Sequence, residues 1–302
     1  MSLTLAEARA RAASISEVSY EVDIDLTDPA ADRFGSRTTV RFTSSSDRTF
    51  VELTAATDLE VTLDGIPLEP PYDGRRLHLA GLGGRHVLTV AARLPYVTDG
   101  EGMHRTVDPA DGATYLGAYL GLDVAQRLFC CFDQNDLKAP VTTTVSADPG
   151  WTVLANGRPV REGGGRWEFA PTPPIPVALV CVVAGPWASV RWEHAGLPFG
   201  WHARASLAGE LARDADELRA VTEACFDHYA TILDEPYAFD SYDQVFVPGL
   251  NWGAQEQPGC VIHRDEMLPT GRLPEDVRLL RGAVIAHAYE QHVGVVAHHV
   301  GA

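Results

Sequence analysis

A short run near the end of the chain places side chains that could move protons on one face of a helix. In the run Val284–His292, Glu290 and Gln291 follow His287 by three and four residues, and residues at these spacings adjoin on a helix. A histidine beside a carboxylate can act as an acid–base pair, because the carboxylate orients the ring and favours its protonated form. We therefore predict His287 and Glu290 as catalytic residues; the alternative is that Glu290 and His292 are solvated and that His287 is a structural remnant of a former site.

The same helix lacks a complete metal-binding motif. In an H-E-x-x-H zinc motif, two histidines at i and i+4 bind the metal, and the glutamate between them activates the metal-bound water. This chain has Ala288 in place of that glutamate and Gln291 in place of the second histidine. At about 100° per residue, His292 lies roughly 140° around the helix from His287, so the two rings cannot reach one ion. We therefore expect no metal, no cofactor and no zinc peptidase activity.

A longer segment upstream carries a family resemblance. It reads N-W-G-A-Q-E-Q-P-G-C-V-I-H-R-D-E, from Asn251 to Glu266. It resembles the G-A-M-E-N segment of the aminopeptidase N family of zinc aminopeptidases, and its spacing to Val284–His287 also fits that family. Further matches, in consistent order, are Gly100–Arg105, Cys131–Ala139 and Pro173–Pro186. The resemblance covers nearly the whole chain.

The resemblance implies roles for individual residues. Glu256 falls on the glutamate that holds the substrate's free α-amine in the family, and His287 falls on a zinc ligand. A second amine-binding carboxylate of the family aligns with Gly121 and is therefore missing. The residues after Gln291 include neither the glutamate ligand nor the tyrosine that the family has beyond this point. We therefore expect a truncated, degenerate member of the family.

The residues that we expect to contact a substrate surround Glu256, which we predict to be both catalytic and substrate-binding. Tyr119 aligns with the family segment that shapes the first substrate pocket, Gln255 directly precedes Glu256, and Gln291 lies on the predicted helix. We predict all three as substrate-binding residues. Tyr119 and Gly121 replace the family's Gln and Glu, which makes the pocket more apolar. This change fits a new ligand better than a peptide.

Alternating hydrophobicity over the first 188 residues predicts an antiparallel β-domain. Period-two patterns of half-buried strands are separated by turn residues such as Asp64-Gly65 and Gly83-Gly84. A short helix is predicted at residues 4–14. The predicted strands are 20–26, 38–42, 50–53, 59–63, 87–90 and 141–145.

The resemblance implies a partial thermolysin-like α+β domain over residues 189–302. The predicted fold class is therefore α+β, with domains 1–188 and 189–302. The spacing of apolar residues predicts a helix over 206–233, and Pro274 with the acids after it predicts the start of a last helix. One or two strands over 190–202 and one over 243–248 complete the prediction.

The charge and the cysteines limit the partners and the compartment. A net charge of −17 argues against nucleic acid and anionic membrane surfaces, because both need basic patches. The N-terminus lacks the apolar segment of a secretory signal, and no run approaches the roughly 18 apolar residues of a membrane span. The five cysteines form no C-x-x-C pair. Reduced, mostly buried thiols in the cytoplasm are therefore expected.

The last predicted helix carries apolar side chains that need cover. They are Val284, Ile285, Val293, Val295 and Val296. In the family, a helical half of the domain would normally cover such a face. We therefore expect either a homodimer or a separately encoded partner subunit.

Two functions stay open from the sequence. In the first, the chain is a metal-independent enzyme whose substrate is a small amine-bearing molecule. Glu256, His287 and Glu290 would move protons during an intramolecular displacement, an elimination or a ring closure in a biosynthetic pathway. In the second, the chain is a non-catalytic binding or assembly subunit that docks a partner protein. Retention of Glu256 favours the first function, and loss of the metal ligands and the base favours the second.

Overall fold

The structure, a computed structural model, describes residues 2–232 and 236–297, with the side chains of the last helix described up to Tyr289. The described part of the chain is a mixed α+β fold with four β-sheets, which confirms the predicted fold class. Strands dominate up to residue 204, and the two long helices follow.

The elements follow the predicted order. The helices are α1 (Leu5–Ser14), α2 (Gly121–Val124), α3 (Ala208–Ile232) and α4 (Glu275–Ala297). The first ten strands are β1 (Ile15–Asp25), β2 (Arg33–Ser44), β3 (Arg48–Glu52), β4 (Thr57–Leu63), β5 (Ile66–Leu68), β6 (Arg76–Ala80), β7 (Gly84–Pro95), β8 (Gly102–Val107), β9 (Thr114–Tyr119) and β10 (Val141–Ser146). The others are β11 (Thr152–Ala155), β12 (Pro159–Gly163), β13 (Arg166–Phe169), β14 (Val182–Gly185), β15 (Trp187–His194), β16 (Leu197–Arg204), β17 (Tyr242–Val247), β18 (Ala254–Gln255) and β19 (Cys260–Arg264).

An eight-stranded sheet forms the largest layer, in the order β12-β13-β10-β1-β2-β7-β4-β5. Strand β1 buries Tyr20, Val22 and Ile24 on one face, because successive side chains of a strand point to opposite sides. Pairing in this sheet is antiparallel except between β1 and β10, where Tyr20 lies opposite Val141 in a parallel pair. The predicted antiparallel arrangement therefore holds for all of its other pairs.

A four-stranded sheet, β11-β14-β9-β8, packs beside the large sheet. Leu116 and Ala118 of β9 share one apolar core with Val22 and Phe34 of the large sheet. Strand β9 ends at Tyr119. The packing of this sheet therefore fixes the position of one predicted substrate-binding residue.

A five-stranded sheet, β15-β16-β17-β19-β18, follows in the chain. Trp201, Phe246 and Ile285 are buried together where α3 and α4 pack on one face of this sheet. On the other face, Val245 packs with Tyr115 of the four-stranded sheet. Strand β14 belongs to the four-stranded sheet and β15 to the five-stranded one, while the division into domains after residue 188 stays a prediction.

Helix α4 is covered differently from the prediction. Ile285 is buried and Val284 packs partly against the same core. The prediction that Ile285 needs a partner is therefore wrong, because α3 and the five-stranded sheet already cover it. Leu279 and Leu280 are instead exposed, at 63% and 58%. The side chains of Val293, Val295 and Val296 lie outside the described residues.

The cysteines test the expectation of reduced, mostly buried thiols. All five cysteines are free thiols, and the prediction that most are buried is confirmed by Cys130, Cys131, Cys181 and Cys260. Burial raises the pKa of the Cys130 thiol well above its usual value, so it is a poor nucleophile.

Within residues 2–232 and 236–297, every helix falls short of the length or the hydrophobicity that a membrane span requires.

Candidate functional site

Glu256 lies in a loop between β18 and β19 that buried contacts fix to the four-stranded sheet and its neighbouring segments. Gln257 Nε2 donates to the carbonyl oxygens of Ala118 and Val180, at 3.0 and 2.9 Å. Gly259 has a φ of +80° and approaches the backbone of Asn156 so closely that no side chain fits there. The loop is thus held on both sides of Glu256, whose own side chain keeps 26% exposure.

Helix α4 brings His287 to Glu256. Two acidic residues in the first turn favour the start of this helix, because they interact with its dipole. Arg281, on the same helix, pairs with Asp214 of α3 at 2.7 Å and thereby fastens α4. His287 Nε2 lies 3.4 Å from Glu256 Oε1, and the imidazole is 58% exposed. The two groups can share a proton while both stay open to a ligand.

Tyr119, the last residue of β9, follows Ala118, to which Gln257 of the loop is hydrogen-bonded. Its ring lies against Gly121, where an added Cβ would be 3.0 Å from Tyr119 Cε1, so the glycine leaves room for the ring. Burial raises the pKa of the Tyr119 hydroxyl, and the negative charges of Glu101 and Glu256 raise it further. The hydroxyl therefore stays protonated at neutral pH and can donate a hydrogen bond.

Glu101 is a residue of this site that the sequence did not identify. Its charge acts on Tyr119 together with that of Glu256, and its Oε2 lies 3.7 Å from the guanidinium of Arg127. Glu101 belongs to the segment Gly100–Arg105, which matches the family, and this match was the available signal. The site thus holds a second carboxylate, although the aligned position 121 is a glycine.

The described residues do not fit a zinc centre. Ala288 is fully buried and packs with Tyr242, Tyr289 and Val261. A methyl group can neither bind a metal nor accept a proton, so the position directly after His287 supplies no base. Among the described side chains, those of residues 2–232 and 236–289, no group of three His, Cys, Asp or Glu could hold an ion. The groups that this site offers for proton transfer and hydrogen bonding are therefore the side chains of Glu256, His287 and Tyr119.

The other predicted site residues are placed as follows. Gln255 is buried, and its Nε2 donates to the carbonyl of Ala178 at 3.0 Å, away from Glu256. Its predicted contact with a substrate stays a prediction. The side chains of Glu290 and Gln291 lie outside the described residues. From the predicted set, the structure thus brings His287 to Glu256, and it places Tyr119 where the charge of Glu256 acts on its hydroxyl.

Comparison with known proteins identifies the family of the chain. No family model matches the chain. Aminopeptidase N of Streptomyces lividans is 39% identical over 295 residues, which are 94% of this chain and 34% of that protein. Aminopeptidase N of Acetobacter pasteurianus is 26% identical over 219 residues, 68% of this chain and 59% of that protein. Glutamyl aminopeptidase of Bos taurus is 24% identical over 150 residues, 48% of this chain and 15% of that protein.

The chain spans about a third of the Streptomyces relative and less of the bovine one. Over the stretch that it shares with these relatives, the chain belongs to the aminopeptidase N family.

Proposed function

We propose that the chain carries a metal-independent acid–base site on an aminopeptidase N scaffold, and that this site takes a small amine-bearing substrate. The observation that carries the proposal is the 3.4 Å approach of Glu256 Oε1 to His287 Nε2, beside a buried alanine. A carboxylate and an imidazole at this separation can bind an ammonium group and move its proton.

Recognition of the amine rests on charge. The carboxyl group of Glu256 stays partly open to solvent and can accept hydrogen bonds from an ammonium group. Glu101 adds a second negative charge near Tyr119. An ammonium group between these groups makes charge-assisted hydrogen bonds, which are about twice as strong as neutral ones. The Tyr119 hydroxyl can then donate to an oxygen of the same substrate.

The reaction that we propose is an intramolecular displacement. The substrate ammonium, held by Glu256, transfers one proton to His287 Nε2, and Glu256 stabilises the imidazolium that results. The freed nitrogen lone pair attacks a carbon of the same molecule, so a C–N bond forms and the bond from that carbon to the leaving group breaks. The imidazolium returns its proton to the leaving group. Orientation supplies much of the rate enhancement of such a ring closure.

Loss of peptidase chemistry is part of the proposal. Ala288 occupies the position of the water-activating glutamate in the H-E-x-x-H motif, and its methyl group is buried among aromatic side chains. Retention of stoichiometric zinc by the purified chain, together with cleavage of an aminoacyl anilide, would contradict the proposal.

The experiment that tests the site uses leucinamide, which has an amine and no carboxylate, as a probe for calorimetric titration. Glu256→Gln should weaken binding at least about tenfold, since a charged hydrogen bond contributes about 1.5–3 kcal/mol. The matched control is Glu266→Gln, which removes an exposed carboxylate from the same segment. Equal leucinamide affinities of the Glu256 variant and its control would contradict the proposed amine site.

His287 has its own readout. In the proposed complex the ammonium also donates to the imidazole, whose Nε2 lies 3.4 Å from Glu256 Oε1. His287→Asn should therefore weaken leucinamide binding, by up to about tenfold for the loss of one hydrogen bond. The control is His228→Asn, an exposed histidine on α3. If His287→Asn binds leucinamide as tightly as this control, His287 is not part of the amine site.

The two exposed leucines of α4 favour a second candidate, a non-catalytic binding or assembly subunit. Leu279 and Leu280 are adjacent in sequence and more than half exposed, and this fits docking of a second copy or of a separately encoded partner. If Leu279→Glu and Leu280→Glu abolish assembly in sedimentation experiments, while Glu256→Gln changes no ligand affinity, this candidate replaces the first.

A further inference from the structure

A cavity of about 570 Å³ lies between strands β11, β12 and β13 and the face of the five-stranded sheet that is turned away from α3 and α4. Its volume falls in the range of roughly 300–1,000 Å³ that is typical of small-molecule sites. Glu256, His287 and Tyr119 do not line it. The charged residues in its wall are Arg158, Glu162, Arg191 and Asp243, and Trp151, Trp167 and Ser241 also line it.

A buried carboxylate in the wall of this cavity is held in place by a chain of hydrogen bonds. Asp243 Oδ1 lies 2.8 Å from Nε2 of the fully buried His202, and His202 Nδ1 lies 2.8 Å from Ser189 Oγ. Gly200 makes room for this contact, because a side chain there would collide with both Asp243 and His202. A charged group fixed in this way is preorganised for a ligand.

Ser241 supplies a further polar group in the wall, a hydroxyl without a hydrogen-bond partner among the described residues. Ser241 is buried, and its Oγ makes no hydrogen bond to any described residue. Ser241 and Asp243 are two residues apart at the start of β17, so they lie on the same side of the extended chain. Because an unsatisfied buried hydroxyl costs about 1–3 kcal/mol, this oxygen is a ready hydrogen-bonding position for a ligand.

Opposite charges lie close together at the rim. Arg191 NH1 is 3.9 Å from Asp243 Oδ1, and its side chain is 55% exposed. Arg158, 61% exposed, adds a second guanidinium, whose Nε lies 3.5 Å from Asp240 Oδ2. The short separation of negative and positive groups matches an α-amino acid, in which the ammonium and the carboxylate are bonded to one carbon. Trp151 and Trp167 supply apolar surface for a side chain.

We propose that this cavity binds a free α-amino acid with an aromatic or long aliphatic side chain. The ammonium binds Asp243 and Ser241, the carboxylate binds Arg191 and Arg158, and the side chain packs against the two tryptophans. The cavity does not depend on the amine site at Glu256, since the two sites share none of their residues.

The test titrates L-phenylalanine into the full chain carrying Glu256→Gln, so that the amine site at Glu256 does not contribute. We expect binding of L-phenylalanine, and binding at least about tenfold weaker for phenethylamine and for 3-phenylpropionate, because each lacks one charged hydrogen-bonding group. Failure of L-phenylalanine to bind overturns the proposal, as does equal affinity for phenethylamine.

Arg191→Gln, made in the same background, is the decisive variant because this arginine is exposed and its loss should not unfold the chain. It should weaken L-phenylalanine at least about tenfold and leave phenethylamine within about twofold. The matched control is Arg161→Gln, an exposed arginine of β12 outside the cavity. An Arg191 variant that binds L-phenylalanine as tightly as this control would show that the cavity does not recognise the carboxylate.

Discussion

Replacement of Arg281 by methionine should lower the free energy of unfolding by about 3 kcal/mol. Arg281 is 1% exposed, and its NH1 donates to Asp214 Oδ2 at 2.7 Å and to the carbonyl of Met267 at 3.3 Å. Burial pushes the pKa of Asp214 up, but hydrogen bonds from Arg213 and Arg281 hold it below its usual range. The variant therefore keeps a buried carboxylate that has lost one of its two cations.

The control for this prediction is on the same helix. Arg278→Met removes an arginine that is 45% exposed and pairs with Glu275, so it should cost less than about 1 kcal/mol. The double variant Arg281→Met with Asp214→Leu should recover most of the loss, because both charges are then gone. Urea denaturation followed by circular dichroism measures all three variants. If Arg281→Met loses no more stability than Arg278→Met, the buried pair does not hold α4.

The same pair bears on the proposed function. Arg281 fastens α4 to α3 less than two turns before His287, and the only described contact of His287 with a charged group is with Glu256. Loosening α4 should therefore separate His287 from Glu256 while Gln257 still holds the loop. In the Arg281 variant, leucinamide should bind with the reduced affinity expected of His287→Asn.

Local sequence patterns predicted helices and strands but not all of the pairings between strands. The alternation in Tyr20–Leu26 and the apolar spacing from Leu207 to Ile232 predicted β1 and α3, because each pattern depends on neighbouring residues. The parallel pairing of β1 with β10 joins residues more than a hundred positions apart, for example Tyr20 and Val141. No local spacing encodes that contact. Burial of Ile285 was missed for the same reason, since it depends on the distant strands and on α3.

The residues of the candidate site also divide into those that a sequence motif identifies and those that only the folded structure brings together. Glu256 and His287 could be identified because the resemblance supplied motifs at both positions. Glu101 was missed because its nearness to Tyr119 comes from the pairing of β8 with β9, and the family match of Gly100–Arg105 does not by itself assign a role to this carboxylate. The chain of hydrogen bonds from Ser189 through His202 to Asp243 joins three strands, so it could not be predicted from one segment.

Asp133→Asn should stabilise the protein at pH 8 by up to about 4 kcal/mol, because the variant no longer has to ionise a buried carboxyl. Asp133 is 7% exposed. Burial raises its pKa to about 7, and the negative charges of Glu52 and Asp123 contribute in the same direction. In the unfolded chain the pKa of an aspartate is about 3.9. The folded state therefore holds the proton more tightly, and the wild-type chain loses stability as pH rises from about 4 to about 7.

The difference between wild type and Asp133→Asn isolates this effect from other titrating groups. Burial also raises the pKa of Glu52, but both proteins contain Glu52, so its contribution largely cancels in the difference. The difference in the free energy of unfolding should be small at pH 4 and grow towards pH 8. Asp136→Asn, which removes an exposed carboxylate of the same segment, should change stability by less than about 0.5 kcal/mol. A gain from Asp133→Asn that is equal at pH 4 and pH 8 would mean that Asp133 does not hold a proton in the folded protein.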